Sequence, residues 1–168
     1  VGPGVSGGRV GQRVGIDPRT EAAGGFLGVS VDGAFATSID LPARRAIAMA
    51  PEVSLQRSAY LEPTAAALGA VSHMREAASP AILGGNRIAA LTSLLATGQG
   101  IEHRWYRSGS SVPDGHDLIV ESDATLVSAA VEAVVPGGTV VLKSRPSTAA
   151  PIELKRVVSK GLCLRGVA

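Results

Sequence analysis

The 168-residue chain contains one cysteine, Cys163. That excludes an internal disulfide and any cysteine-based zinc knuckle. Aromatic residues make up only 3% of the sequence, so a packed core has to be built from Val, Leu, Ile and Ala. Long apolar runs are also missing. None reaches the ~18 residues that a membrane span needs, and no basic-then-apolar segment reads as an export signal. A cytoplasmic protein without a membrane partner is therefore expected. Charge of one sign is not concentrated either. The formal net charge is +2 and the basic residues are scattered, whereas a nucleic-acid binder gathers them on one face; no nucleic-acid partner is expected. The first residue is Val1 rather than methionine, which is consistent with the removal of something upstream.

Glycine and small apolar residues are plentiful. With 45% hydrophobic residues, 21 Gly and 10 Pro, the chain can build a core joined by many tight turns. Its length suits one ordinary domain or two small lobes. In the first third, Arg13–Ile16, Phe26–Val29, Ala34–Leu41 and Ala46–Met49 read as short strands, with Asp17-Pro18 and Asp32-Gly33 as turns. Residues 54–77 read as one helix, capped by Ser54 or Ser58, with Leu61, Ala65, Leu68 and Ser72 or Val71 on its inner stripe. Ser79-Pro80 ends it. Strands and helices then alternate: strand 81–83, helix 87–97, strand 101–106, strand 117–121, helix 124–135, a turn at Pro136-Gly137-Gly138, strand 139–142, helix 152–160 and strand 162–164. That succession predicts a parallel sheet with right-handed crossovers.

Within this pattern, Ile82-Leu83-Gly84-Gly85-Asn86-Arg87-Ile88-Ala89 has the layout of a dinucleotide fingerprint, G-x-G-x-x-G/A, between a strand and a helix. Gly84 supplies the first glycine and Ala89 an allowed third residue. Asn86 stands at the middle glycine, where backbone normally approaches a pyrophosphate. The strand after the fingerprint helix should end on an acid for the adenosine ribose. Tyr106-Arg107-Ser108 stands there instead, which tilts any binding from NAD towards the 2′-phosphate of NADP.

Six segments, taken in order, resemble the medium-chain dehydrogenase/reductase family, the zinc alcohol dehydrogenase-like group. They are Gly11–Pro18, Asp32–Ala36, Leu61-Glu62-Pro63 with Ala65–Leu68, Gly84–Ala89, Asp117–Glu121 and Val135–Leu142. The resemblance implies an α/β fold: a truncated Rossmann-like parallel sheet with helices on both faces, preceded by a remnant of a GroES-like β-rich lobe. It divides the chain into a partial catalytic lobe at 1–57, a connecting helix at 58–79 and a shortened nucleotide-binding domain at 80–168. It also implies an NAD(P)-dependent oxidoreductase acting on a small alcohol or carbonyl compound, with the nicotinamide in the cleft between lobes. The family's zinc-binding cysteines have no counterpart here, so no structural zinc is expected. Glu62 matches a zinc-ligand position of polyol-type members. His73, eleven residues on, would lie ~16 Å away along a helix, too far to share an ion.

One strand of a 3-2-1-4-5-6 sheet is also missing. Ten residues, 107–116, separate two strands, too few for a crossover helix, a strand and a second helix. They can still reach past one strand, because a lateral step of ~10 Å and a return of ~17 Å fall within a span of ~33 Å. The expected cofactor contacts are Gly84, Gly85, Asn86, Arg87, Ile88, Arg107, Ser108, Glu121 and Lys143, the last two at carboxyl ends of strands. Glu62 and His73 are the candidate catalytic residues; with Asp114 they would also serve a non-redox proton transfer or cyclisation, the alternative activity. A catalytically inactive relative is the third reading. His116 is a weaker acid–base candidate, and Cys163 reads as a buried small hydrophobe. Edges left by the lost strand favour a homo-oligomer.

Overall fold

A computed structural model describes residues 5, 10–20, 25–107, 112–146 and 148–167. The chain divides into two compact units, Val1–Glu62 and Pro63–Ala168. The division falls in the first turn of a helix that begins at Leu61.

In the first unit, β1 (Val14–Ile16) pairs antiparallel with β2 (Ala46–Ala48). Arg13 fastens this pair to the following turn by donating to the carbonyls of Pro51 and Val53. The strands expected at 26–29 and 34–41 do not form. Only isolated bridges, Arg19 with Phe26 and Leu27 with Val31, appear there. A strand needs a partner and a face to bury, and Phe26–Val31 turns back on itself through hydrogen bonds from Val29 N and Ser30 N to Phe26 O. The helix expected over 54–77 is two helices. Helix α1 (Leu55–Ser58) is capped by Ser54, whose Oγ accepts from Arg57 N. Helix α2 (Leu61–Met74) follows after a break at residues 59–60. Its buried face carries Pro63, Ala67, Ala70, Val71 and Met74. The expected stripe is displaced: Leu61, Ala65 and Leu68 are exposed. Alanines spread around α2 leave it little apolar asymmetry, so the pattern could not select the face.

The second unit is a five-stranded parallel sheet flanked by helices. Its elements are β3 (Pro80–Leu83), α3 (Arg87–Gly98), β4 (Arg104–Tyr106), β5 (His116–Glu121), a 3-10 turn at Ala124–Leu126 running into α4 (Val127–Ala133), β6 (Val134–Leu142), α5 (Leu154–Lys160) and β7 (Cys163–Gly166). The strand order is β4-β3-β5-β6-β7, with every pairing parallel. That is the 2-1-4-5-6 order left when the third strand is lost, as the ten-residue connection required. Pro136-Gly137-Gly138 is not a separate turn. It belongs to β6, whose pairing with β5 shifts register there. A Cβ at Gly138 would come within 2.8 Å of Asp117 O, so glycine lets the two strands approach.

The core lies on both faces of the sheet. On one, α2 and α3 place Val71, Met74, Ala89 and Ala96 against Ile82, Leu118, Val120 and Val141. On the other, α4 places Ala130 and Val131 against Ala81, Leu83, Ile119 and Val140, with Val157 of α5 alongside. The Asp117 carboxylate accepts from Ala78 N and Ser79 N at 2.7 and 2.8 Å, tying down the loop between α2 and β3. Lys160, in the last turn of α5, donates to the carbonyls of Val131, Glu132 and Val134, which cap the end of α4. Cys163 is exposed, contrary to the buried role expected. It sits on edge strand β7, where alternation turns Cys163 and Arg165 outward while Leu162 and Leu164 pack inward. Among the described residues no helix is long and apolar enough to cross a membrane.

Candidate functional site

The chain leaves β3, passes to β4 on one side and returns to β5 on the other. The carboxyl ends of β3 and β5 therefore flank the point where the strand order reverses, the usual place for a ligand in such sheets. Gly84, Gly85 and Asn86 follow β3 there, and Glu121-Ser122-Asp123 follows in register from β5, with Leu83 opposite Glu121.

Gly84 has φ +134°, a value that side-chain-bearing residues rarely adopt. Its N–H donates to Tyr106 O at 2.9 Å, and its carbonyl accepts from Trp105 Nε1–H at 2.8 Å. A Cβ at Gly84 would collide with Ser122 Oγ, and one at Gly85 would lie 2.7 Å from Arg107 O. Both glycines are thus required by the close approach of β4 and β5 chain segments, before any ligand is considered. Asn86 is extended, with φ −89° and ψ 177°.

Asn86 is the N-cap of α3. Its Oδ1 accepts from Ile88 N at 3.0 Å and Ala89 N at 3.1 Å. Its Nδ2 donates to Ser122 O at 2.6 Å. A helix start presents unpaired N–H groups that suit a phosphate; here two of them bond to the chain's own amide oxygen. Sequence spacing located Asn86 but did not expose this cap. The pattern of an N-cap residue just ahead of an apolar-periodic helix was the signal that could have done so.

At the end of β4, the Arg107 guanidinium lies over the Trp105 ring, 4.3 Å from its centroid. This stack fixes a cation beside the glycine turn. Ser108 falls outside the described residues. Arg87 and Ile88 are in the first turn of α3, with Arg87 exposed.

Glu121 is fully buried, with 0% of its surface exposed. Oε2 accepts from Ser144 Oγ at 2.9 Å, while Oε1 has no partner among the described residues. Burial raises the carboxyl pKa above its ordinary value, and the bonds from Ser144 oppose that only in part. Lys143, expected to meet a ligand, is 9% exposed and donates to Val167 O at 3.2 Å. That bond holds the end of β6 to the segment after β7.

The remaining candidates lie elsewhere. Glu62 is exposed in the first turn of α2, where the helix dipole favours an acid. His73 is on the same helix, eleven residues or ~16 Å along, and its Nδ1 accepts from Arg165 Nη1 at 3.3 Å. The two are not brought together. His116 is committed to structure. Its Nδ1 faces Ser79 O at 3.0 Å, and a carbonyl can only accept, so Nδ1 carries the hydrogen and Nε2 accepts from the Tyr106 hydroxyl at 3.0 Å. Asp114 is exposed. No group of three or more His, Cys, Asp or Glu side chains that could hold a metal occurs among the described residues. Open cavities of about 580, 620 and 500 Å³ lie at the amino ends of the strands, around Ser79, Gly100 and His73. That is the edge of the sheet opposite the glycine turn, so they are no part of this site.

As a test of fit for a dinucleotide, the donor set divides. The Arg107–Trp105 stack and Arg87 in the first turn of α3 suit phosphates, and the Glu121 oxygen without a partner among the described residues leaves a polar position at the end of β5. The pyrophosphate donors are accessible only if the Asn86 side chain leaves them.

No family model and no curated protein matches the chain. Solved structures do. A short chain alcohol dehydrogenase from Escherichia coli CFT073 complexed with NADH superposes with a TM-score of 0.83 at 18% identity, over 99% of this chain and 64% of that one. The 2R,3R-butanediol dehydrogenase of Bacillus subtilis gives 0.80 at 20% identity, over 100% and 61%. A putative zinc-binding dehydrogenase from Sinorhizobium meliloti 1021 bound to NADP gives 0.74 at 21%, over 97% and 63%. The chain has the fold of these dehydrogenases, a Rossmann-like parallel sheet with a small antiparallel sheet ahead of it in the sequence. It spans a little over three-fifths of their length.

Proposed function

We propose that this chain is a dehydrogenase-like protein whose second unit binds a nicotinamide dinucleotide, with NADP preferred to NAD, and that its substrate is a small alcohol or carbonyl compound. One observation carries the reading. Strand β3, the Gly84 turn and the start of α3 stand where the strand order reverses, with a stacked arginine rather than an acid at the end of β4. The NADH and NADP bound to the E. coli and S. meliloti proteins support it. Arg107 would take the 2′-phosphate, its guanidinium held by Trp105. Arg87 and the backbone at Gly85 would face the pyrophosphate. The cofactor, when bound, accepts or supplies a hydride; Glu121 keeps a buried carboxyl, its pKa raised by burial, at the neighbouring strand end.

A second reading has its own support. The space at Gly84 and Gly85 is filled by Ser122 and Arg107, and Asn86 caps α3, which favours a relative that no longer binds nucleotide. Proton transfer by Glu62 and His73 together gains no support from their separation along α2.

Trp105 is the single tryptophan and touches both Gly84 O and Arg107. Titration with NADPH and with NADH, following Trp105 emission, should give quenching or energy transfer, with NADPH binding at least tenfold tighter. Arg107→Ala should erase that preference. Unchanged emission up to millimolar concentrations of both would overturn the first reading in favour of the second.

A further inference from the structure

The bonds around Asn86 suggest more than a poor fingerprint match. We infer that the Asn86 side chain is an internal stand-in for the pyrophosphate, and that its displacement sets how tightly the second unit binds dinucleotides. The inference rests on the nucleotide-binding reading above, but concerns a residue rather than the cofactor's identity.

Three observations converge. Oδ1 of Asn86 occupies Ile88 N–H and Ala89 N–H together, so one oxygen of the side chain does what a phosphate oxygen does at a helix start. Nδ2 is anchored on Ser122 O at 2.6 Å, across the switch point, so the side chain is held from both ends. At the end of the neighbouring strand, opposite Leu83, Glu121 Oε1 is buried without a partner among the described residues. A ligand anion has to break all three Asn86 bonds before it reaches the N–H groups of Ile88 and Ala89. A phosphate offers charge-assisted bonds, stronger than those of a neutral amide, so displacement is feasible but lowers affinity. The change needs only rotation of the Asn86 side chain. The backbone at Gly84 is held by bonds to Trp105 and Tyr106.

The substitution that separates these effects is Asn86→Gly, because glycine is nearly as good an N-cap as asparagine and leaves the donors open. Inorganic pyrophosphate and NADPH are the probes, read by Trp105 emission and by the amide ¹⁵N–¹H shifts of Ile88 and Ala89. Asn86→Gly should bind both about tenfold tighter than the unaltered chain, the worth of roughly one cap interaction. Addition of pyrophosphate to the unaltered chain should move the Ile88 and Ala89 amides together with the Asn86 side-chain NH₂ signals. Asn86→Ala should lower Tm, and pyrophosphate should restore it. Affinities within twofold for the unaltered chain and Asn86→Gly, or Ile88 and Ala89 amides that do not respond to pyrophosphate in either, overturn the inference. Tighter pyrophosphate binding without any NADPH binding leaves it standing and removes the NADP reading. Equal NADPH binding by both chains does the reverse.

Discussion

The two units differ first in what they bury. Every buried residue among those described lies at Pro63 or beyond. The second unit encloses Ile82, Leu83, Ile119, Val120, Val140 and Val141 between helices on both faces. The first unit has a two-stranded sheet and exposes Val10, Val29, Phe35 and Ile47. A two-stranded sheet is marginal in water, and a short segment cannot hold itself by core burial. One unit is thus specified by packing, the other by turns and backbone bonds.

The sharpest way to break that contrast is to cut a comparable isoleucine from each. Ile82→Ala removes a fully buried side chain from the central strand and should cost about 2–5 kcal/mol in urea denaturation. Ile47→Ala, at a residue 49% exposed, should stay within about 0.5 kcal/mol. Similar losses at both sites would mean that the first unit has a core of its own. Next comes a pair of glycines with positive φ. Gly84→Ala meets both Ser122 Oγ and a φ of +134°, and should destabilise by about 1–3 kcal/mol. At Gly28, φ is +79° and the nearest atom to an added Cβ is 3.7 Å away, so alanine there should cost only about 1 kcal/mol.

Two carboxylates carry the contrast into pH dependence, with opposite signs. Glu121 has its pKa raised, chiefly by burial. Its stabilising contribution is complete below the unfolded-state value and is lost as pH rises through the folded one. Glu121→Gln should therefore raise Tm at pH 7–8 relative to the unaltered chain and flatten its decline above pH 5. Asp17 in the first unit is lowered to about 2, first by the side-chain hydrogen bond from Arg19 and then by its backbone bond. Its contribution is present above the unfolded-state value of 3.8 and is lost as pH falls through about 2. This pair is exposed, at 2.6 Å with Arg19 78% accessible, so solvent and salt screen it. Asp17→Asn should give the smallest effect of the series, detectable only at low ionic strength; a larger shift than that of Glu121→Gln would reverse the ranking.

The same contrast decides what could be read from sequence. In the second unit, short apolar runs broken by Gly and Pro specified β3, β5 and β6, and the count of residues between Tyr106 and Asp117 specified the loss of a strand. Strict geometry lies behind each, since buried parallel strands need such runs and crossovers need a minimum length. In the first unit, Phe26–Val29 and Ala34–Leu41 have strand-like composition but gain no more than isolated bridges among the described residues, and composition does not supply a partner strand. At the site, the glycine turn was legible because its backbone geometry demands glycine. The commitments of Asn86, His116 and Lys143 were not, because they depend on Ser122 O, Ser79 O and Val167 O, groups brought near only by the folded sheet. The exposure of Cys163 follows from being last in the strand order, which local pattern does not encode.

The Lys160 contacts carry a consequence for the order in which the chain is made. Helix α4 emerges from synthesis well before α5, yet the carbonyls of Val131, Glu132 and Val134 at its end are met by an ammonium 26–29 residues later. Until that lysine arrives, those carbonyls at the end of α4 have water in its place. A stalled chain ending before residue 160 should leave the α4–β6 junction cleavable while β3, α3 and β4 are already protected. The last crossover thus acts as a latch that closes the preceding one.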